Sequence, residues 1–314
     1  MMNSTALCQP MQDNALHHSA PHIPVMEEEV LSLVSEIAPK VICDGTCGAG
    51  GHASALLREV GSIERYFCVD WDSHALEIAR DRLASFGDMV EFIRGNYAHI
   101  PDLIAAYGIE FVDCVLLDLG ISSMHLETSG RGFSFLKNEP LDMRMDDTEP
   151  YTVLDLIRET PVEQLAAIIR EFGEERWAGP IAKAIKEYCH TQSAPTSKGL
   201  AEAVKKAIPR RFHPRKIHPA TRTFQALRIA LNRELDNLKL ALQRFPDVLR
   251  PGGRFIVISF HSLEDRLVKH SFRNDPRLDV ITKRPLTPSE YEKGVNPRAR
   301  SAKLRCAQRR TIST

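Results

Sequence analysis

The chain has 314 residues, enough for about two domains of ordinary size or one core carrying a large insertion. Its 43% apolar and 26% charged content excludes wholesale disorder, and the absence of any run of about 20 apolar residues excludes a membrane-spanning helix. Basic and acidic residues balance at 41 each, so net charge says nothing about partners until its distribution is examined.

In chain order, residues 1–21 mix polar, His and small side chains. They lack the basic start and apolar centre of a secretory signal, and read as a flexible leader of a cytoplasmic protein. Val41–Asp44 is a short apolar run ending in a carboxylate and then glycines, and Arg65–Asp70 repeats that form. Val90–Arg94, Val112–Leu119 and Arg254–Phe260 are three more short runs rich in Val, Ile, Leu and Phe. Such runs predict buried parallel strands. Between them, helices are predicted over His52–Val60 and Ser73–Leu83, the second capped by Asp72 or Ser73. Alternation of this kind predicts a doubly wound α/β sheet.

The alternation then breaks: 136 positions separate Asp118 from Arg254, where a crossover needs a few tens. Thr160 is predicted to cap a helix with Pro161 in its first turn, carrying Val162, Leu165, Ile168 and Ile169 before Gly173. Two more helices are expected at about 176–188 and 197–207, followed by a Pro-rich basic loop at 209–219. An inserted helical domain is therefore placed at 127–223, inside a discontinuous sheet domain of 22–126 and 224–314. One long amphipathic helix, 223–245, returns to the sheet on Phe224, Leu227, Leu231, Leu235, Leu238 and Leu242.

The seven cysteines are scattered with no paired Cys-x-x-Cys spacing, which predicts reduced, structural thiols and no metal. Charge is segregated. Residues 198–233 hold ten basic side chains and one acid, and residues 266–314 hold thirteen against four. Such blocks suit a polyanionic partner, although solvated surface produces them too.

Asp44-Gly-Thr-Cys-Gly-Ala-Gly-Gly-His52 lies after a strand and before a helix, where nucleotides bind at the carboxyl edge of open α/β sheets. Its spacing, G-x-x-G-x-G-G, departs from the G-x-G-x-x-G of dinucleotide folds, which speaks against a nicotinamide-dependent dehydrogenase. Asp70, about 20 residues on, can accept both ribose hydroxyls of a nucleoside; its plainer role is that of a helix N-terminal acid. Pro251-Gly-Gly253 before the last predicted strand completes a set that resembles the class I S-adenosylmethionine methyltransferases, with their Rossmann-like sheet.

Longer strings narrow the resemblance: His22-Ile-Pro-Val-Met26, Leu117-Asp-Leu-Gly-Ile-Ser-Ser123, Arg131-Gly-Phe-Ser-Phe135, His218-Pro-Ala-Thr-Arg-Thr-Phe-Gln225, Ser259-Phe-His-Ser-Leu-Glu-Asp-Arg266 and Asn296-Pro-Arg-Ala-Arg-Ser-Ala-Lys-Leu-Arg305. These are similar to the bacterial 16S ribosomal RNA cytosine-N4 methyltransferases, once called MraW. The resemblance implies S-adenosylmethionine as cofactor, with Gly50, Gly51 and His52 contacting it through the loop. It implies that Asp70 holds the ribose, that Tyr97 stacks beside the adenine, and that Asp118 lies next to the methionine part and the methyl. His125 falls at a further cofactor position in which related sequences carry Gln. The implied substrate is cytosine 1402 of the decoding region, in 16S ribosomal RNA or the small ribosomal subunit. No membrane is involved, and a homodimer is left open. Asp118 is the candidate acceptor for the amino proton of cytosine. Ser259, His261 and Asp265, at the same sheet edge, form a second candidate group, of which His261 is the foremost. Arg210, Arg211, Arg215, Lys216 and Arg222, with Arg298, Arg300, Lys303 and Arg305, are candidates for gripping phosphates. Phe133, Phe135 and Phe212 are expected either as base-stacking platforms or as core.

Overall fold

The computed structural model describes residues 24–121 and 130–311. Seven strands form one sheet: β1 (Val41–Asp44), β2 (Arg65–Asp70), β3 (Val90–Arg94), β4 (Val112–Asp118), β5 (Leu249–Ser259), β6 (Leu278–Val280) and β7 (Lys303–Arg309). Their order is β3-β2-β1-β4-β5-β7-β6, with β1 to β5 parallel and β7 antiparallel to both β5 and β6. This is the Rossmann-like class I methyltransferase sheet. Order reverses between β1 and β4, so the carboxyl ends of those two strands flank a natural crevice.

The strands are central because they are apolar on both faces. In β4, Val112 and the run Cys114 to Leu117 are all fully buried, alternating between two layers. One layer packs Ile42, Tyr66, Cys68, Cys114 and Leu116 against α1 (Glu27–Ser35), α2 (Gly51–Glu59) and α3 (Ser73–Leu83). The other packs Cys43, Phe67, Val115, Leu117 and Phe255 against α4 (Ile100–Ala105) and the later helices. Asp72 caps α3 by accepting from the backbone N–H of His74 and Ala75. Six cysteines, Cys43, Cys47, Cys68, Cys114, Cys189 and Cys306, are free and buried.

A third core is helical. It gathers Val153 and Ile157 from α5 (Val153–Glu159), Leu165 and Ile169 from α6 (Val162–Gly173), Ile181 and Ile185 from α7 (Ala178–Thr191), and Leu200 and Val204 from α8 (Ser197–Ala207). It also takes Phe224 and Leu227 from α9 (Thr221–Asn232), so this core extends past position 223.

Three sequence expectations are corrected here. Thr160 caps no helix; it closes α5, whose own start is a capping box of Thr152 and Asp155, and Pro161 precedes α6 without a side-chain cap. The single helix expected over 223–245 is two helices, α9 and α10 (Glu234–Val248), broken at Arg233 with φ 51°. Asn232 fixes the break: its amide donates to Met143 and Arg228 carbonyls and its oxygen accepts from Met145 N–H. The halves then serve different cores, Phe224 and Leu227 the helical one, and Leu238, Leu242 and Phe245 the sheet. Finally, the basic stretch 303–309 is not all surface. It is strand β7, pairing with β5.

Among the described residues no helix is long and apolar enough to cross a membrane.

Candidate active site

The loop after β1 is shaped by backbone bonds to its neighbours. Gly45 N–H donates to Leu116 O and Cys47 N–H to Val69 O, tying the loop to β4 and β2. A Cβ on Gly45 would lie 2.6 Å from Leu117, 2.8 Å from Ile100 and 3.0 Å from Tyr97, so a side chain here would have to displace packed core residues. Asp44, fully buried, accepts from Thr46 N–H and from the Tyr66 hydroxyl at 3.2 Å. Burial outweighs those bonds and pushes its carboxyl up to about 7.

Beside this loop lies an open crevice of about 1110 Å³ at the carboxyl ends of β1, β2 and β4. Gly51, His52, Asp70, Tyr97 and Asp118, all expected from the sequence, line it together. Asp70 accepts from Gly48 N–H at 2.8 Å and Asp72 N–H at 3.0 Å, one bond to each oxygen. Tyr97 is buried beneath, its hydroxyl donating to Glu234 O and its ring edge-on to Trp71 at 6.4 Å.

Asp118 ends β4. Its backbone N–H donates to Thr46 Oγ1, its Oδ2 lies 3.8 Å from His52 Nε2, and its buried Oδ1 meets no hydrogen-bond donor among the described residues. About a fifth of the side chain faces the crevice (22%). Desolvation raises its carboxyl to about 7, opposed by the Arg298 guanidinium and reinforced by the Glu264 carboxylate.

Other expected residues fall elsewhere. Gly50 does not line the crevice; at φ 74°, a Cβ there would point at Leu83 and Ala79 of α3, so its part is to start α2 in a left-handed turn. His261 is the N-cap of α11 (Ser262–Asn274), accepting from Glu264 N–H through Nδ1, with Nε2 3.1 Å from the Glu264 carboxylate. Ser259, His261 and Asp265 do not converge: Ser259 donates to Lys303 O, and Asp265 is held by Lys303 and Arg305 at 3.0 and 2.7 Å. Lys303 and the buried Arg305 are thereby engaged within the protein and leave the set of phosphate-gripping candidates. His125 lies outside the described residues.

The crevice also holds Thr46, Trp71, Glu234 and Glu264, for which the sequence suggested no role, and Arg298, expected at phosphates. Arg228 clasps both oxygens of Glu234 at 2.8 Å. Glu234, His261 and Glu264 bring three ligand-type groups within 4.8 Å of one another, but that clasp already neutralises Glu234. Burial raises the Glu264 carboxyl, yet His261, the Phe260 N–H and Arg228 together bring it below its ordinary value. A signal for Glu264 existed in the capping-box spacing from His261, one residue before the Asp265 that was chosen.

S-adenosylmethionine is the methyl donor of this fold class, and the crevice fits it. A glycine cradle without Cβ atoms suits close backbone approach, Asp70 offers acceptors for ribose hydroxyls, Trp71 and Tyr97 offer apolar faces, and Asp118 sits at the β4 end.

Comparison with known proteins agrees. The model of the MraW methylase family matches residues 19–310. A ribosomal RNA small subunit methyltransferase H of Desulfotalea psychrophila is 44% identical over 288 residues, covering 92% of this chain and 98% of that one. The proteins of the same name from Geobacter sulfurreducens and Sorangium cellulosum are 44% and 45% identical, each over 92% of this chain and over 98% and 90% of their own. The chain therefore belongs to the MraW methylase family, methyltransferases whose similar members are named for the RNA of the small ribosomal subunit.

Proposed function

We propose that this protein methylates the exocyclic N4 of a cytosine in 16S ribosomal RNA, at cytosine 1402 of the decoding region, in the cytoplasm. The observation that carries the reading is Asp118: a carboxylate at the sheet switch point that lines the crevice and is raised by desolvation to about 7.

Bound S-adenosylmethionine supplies an already activated methyl group, so the chain's task is alignment and proton handling. Gly51 and His52 at the start of α2, with Asp70 opposite, fix the nucleoside end. Cytosine N4 is a weak nucleophile because its lone pair is delocalised into the ring. An acceptor at its amino hydrogens localises that pair and stabilises the positive charge that develops on nitrogen. The partly exposed carboxylate of Asp118 is the candidate for that acceptor, and a carboxyl near 7 takes a proton at neutral pH with little mismatch. His52 and Arg298 flank the carboxylate and hold it in place.

A target base must leave its stack to reach the crevice, and the surrounding strand must be held by its phosphates. Arg210, Arg211, Arg215 and Lys216 are exposed, and Phe212 packs at a tilt against Trp177 at 5.2 Å, with the Arg176 and Arg211 guanidiniums over its ring. This supports an RNA-facing surface on the helical part. Replacing Arg210, Arg211 and Arg215 together by Gln should weaken RNA binding and flatten its logarithmic salt dependence by roughly 2 to 3. An unchanged slope in filter-binding titrations would place the phosphates elsewhere.

The decisive test of the reading is mass spectrometry of 16S ribosomal RNA from cells with and without the chain. One N4-methylated cytosine should disappear on deletion and return on complementation. A modification map identical in both strains would refute the proposal.

A further inference from the structure

A second, open hollow adjoins the crevice, and neither the glycine loop, Asp70 nor Asp118 lines it. It lies where the helical part meets the carboxyl edge of the sheet. Its walls are four phenylalanines, Phe133, Phe135, Phe224 and Phe260, with Arg228 and His261 on the crevice side. Ile121 lines both cavities. Two contacts link the two linings: the Arg228 guanidinium of this cavity clasps Glu234 of the crevice, and His261 Nε2 lies 3.1 Å from the Glu264 carboxylate.

We propose that this cavity receives the ring of the turned-out target pyrimidine with its amino edge toward the crevice and Asp118, and that Phe135 and Arg228 determine its acceptance. The proposal rests on the reading of the protein as an RNA cytosine methyltransferase. Three observations carry it. The cavity opens beside the crevice across a shared residue, as the acceptor of a transfer reaction must. Its aromatic walls match a flat heterocycle: Phe135 is half-buried, stacked on His218 at 4.7 Å and edge-on to Phe224 at 5.4 Å, so its ring is already held in orientation. Arg228 gives Nε and Nη2 to Glu234, and among the described residues Nη1 meets no acceptor. A donor fixed in this position suits the O2 and unprotonated N3 of cytosine. Uracil carries a hydrogen on N3 and would oppose it, which is the costlier mismatch in a desolvated pocket.

The test has two independent readouts. The first is direct ultraviolet crosslinking of the full chain to small-subunit ribosomal RNA, with adducts sequenced by mass spectrometry. The second is methyl transfer by Phe135→Ala and Phe135→Leu, the latter preserving apolar bulk. A cytidine adduct on Phe133, Phe135, Phe224 or Phe260 is expected. Both variants should lose roughly 5- to 150-fold in kcat/KM, the range for one base–aromatic stack, with cofactor affinity unchanged within about twofold. Adducts confined to other residues, or none, together with wild-type rates in both variants, would overturn the pocket while leaving the methyltransferase reading intact. Adducts in the pocket without methyl transfer by the wild-type chain would uphold the pocket and sink that reading. Loss in Phe135→Ala with full recovery in Phe135→Leu would show that packing, not the ring face, is required, and would also overturn it.

Discussion

Asp118→Asn should lower kcat by about 10²- to 10⁴-fold, the usual contribution of a positioned proton acceptor, with a much smaller change in RNA affinity. Turnover of the wild-type chain should rise with pH through about 7, because the acceptor is the ionised form of a carboxyl that burial has raised to that value. The variant should lack that limb. Asp44 is buried and also raised to about 7, so it is the natural confounder. It faces Tyr66 and the Thr46 N–H instead of the crevice, and Asp44→Asn should keep the limb. Stability gives an independent control. A carboxyl raised in the folded state binds its proton more tightly there than in the unfolded chain, so stability falls as pH rises from the ordinary carboxylate range through about 7. At pH 8, Asp118→Asn should therefore melt no lower than the parent. A variant inactive and equally stable at pH 8 has lost chemistry, whereas normal turnover would remove Asp118 from the mechanism.

What could be read from the sequence was local. The turn from Val41–Asp44 into Gly45–His52, and Asp70 at the end of the next strand, are contiguous strings whose geometry follows from one strand–loop–helix unit. The apolar strands β1 to β5 announced themselves in the same way, because burial on both faces leaves no room for polar alternation. The losses occurred where tertiary contacts decide. Leu227, Leu231, Leu235, Leu238 and Leu242 keep helical spacing across a break at Arg233, a residue with no preference for positive φ. The break is imposed by Asn232 gripping the chain at 143–145, nearly ninety positions away in sequence. Strand β7 was hidden because charge was read as surface: Lys303 and Arg305 are there to neutralise Asp265, a partner some forty residues back. Trp71, immediately after Asp70, lines the crevice without any motif to mark it, since its role depends on where Tyr97 packs.

Asp70→Ala should weaken S-adenosylmethionine binding by about 10²- to 10⁴-fold, equivalent to roughly 3–6 kcal/mol for two hydrogen bonds to a charged acceptor. The difficulty is that Asp70 also braces the glycine loop through Gly48 N–H and the entry to α3 through Asp72 N–H. A loss of affinity alone would not distinguish a lost ribose contact from a loosened loop. The two separate in a cycle that changes the ligand as well as the protein. Calorimetry with S-adenosylhomocysteine and its 2′,3′-dideoxy counterpart should give the parent a preference of about 10²-fold or more for the hydroxylated ligand, and Asp70→Ala almost none. If Asp70 served only as a brace, both ligands would weaken equally in the variant and the preference would survive. Stability adds a second discrimination: because Asp70 ties down Gly48 N–H and Asp72 N–H, loosening the loop should appear as a lower melting temperature of the ligand-free protein. Loss of the hydroxyl preference with an unchanged melting temperature would therefore assign the carboxylate to the ribose itself.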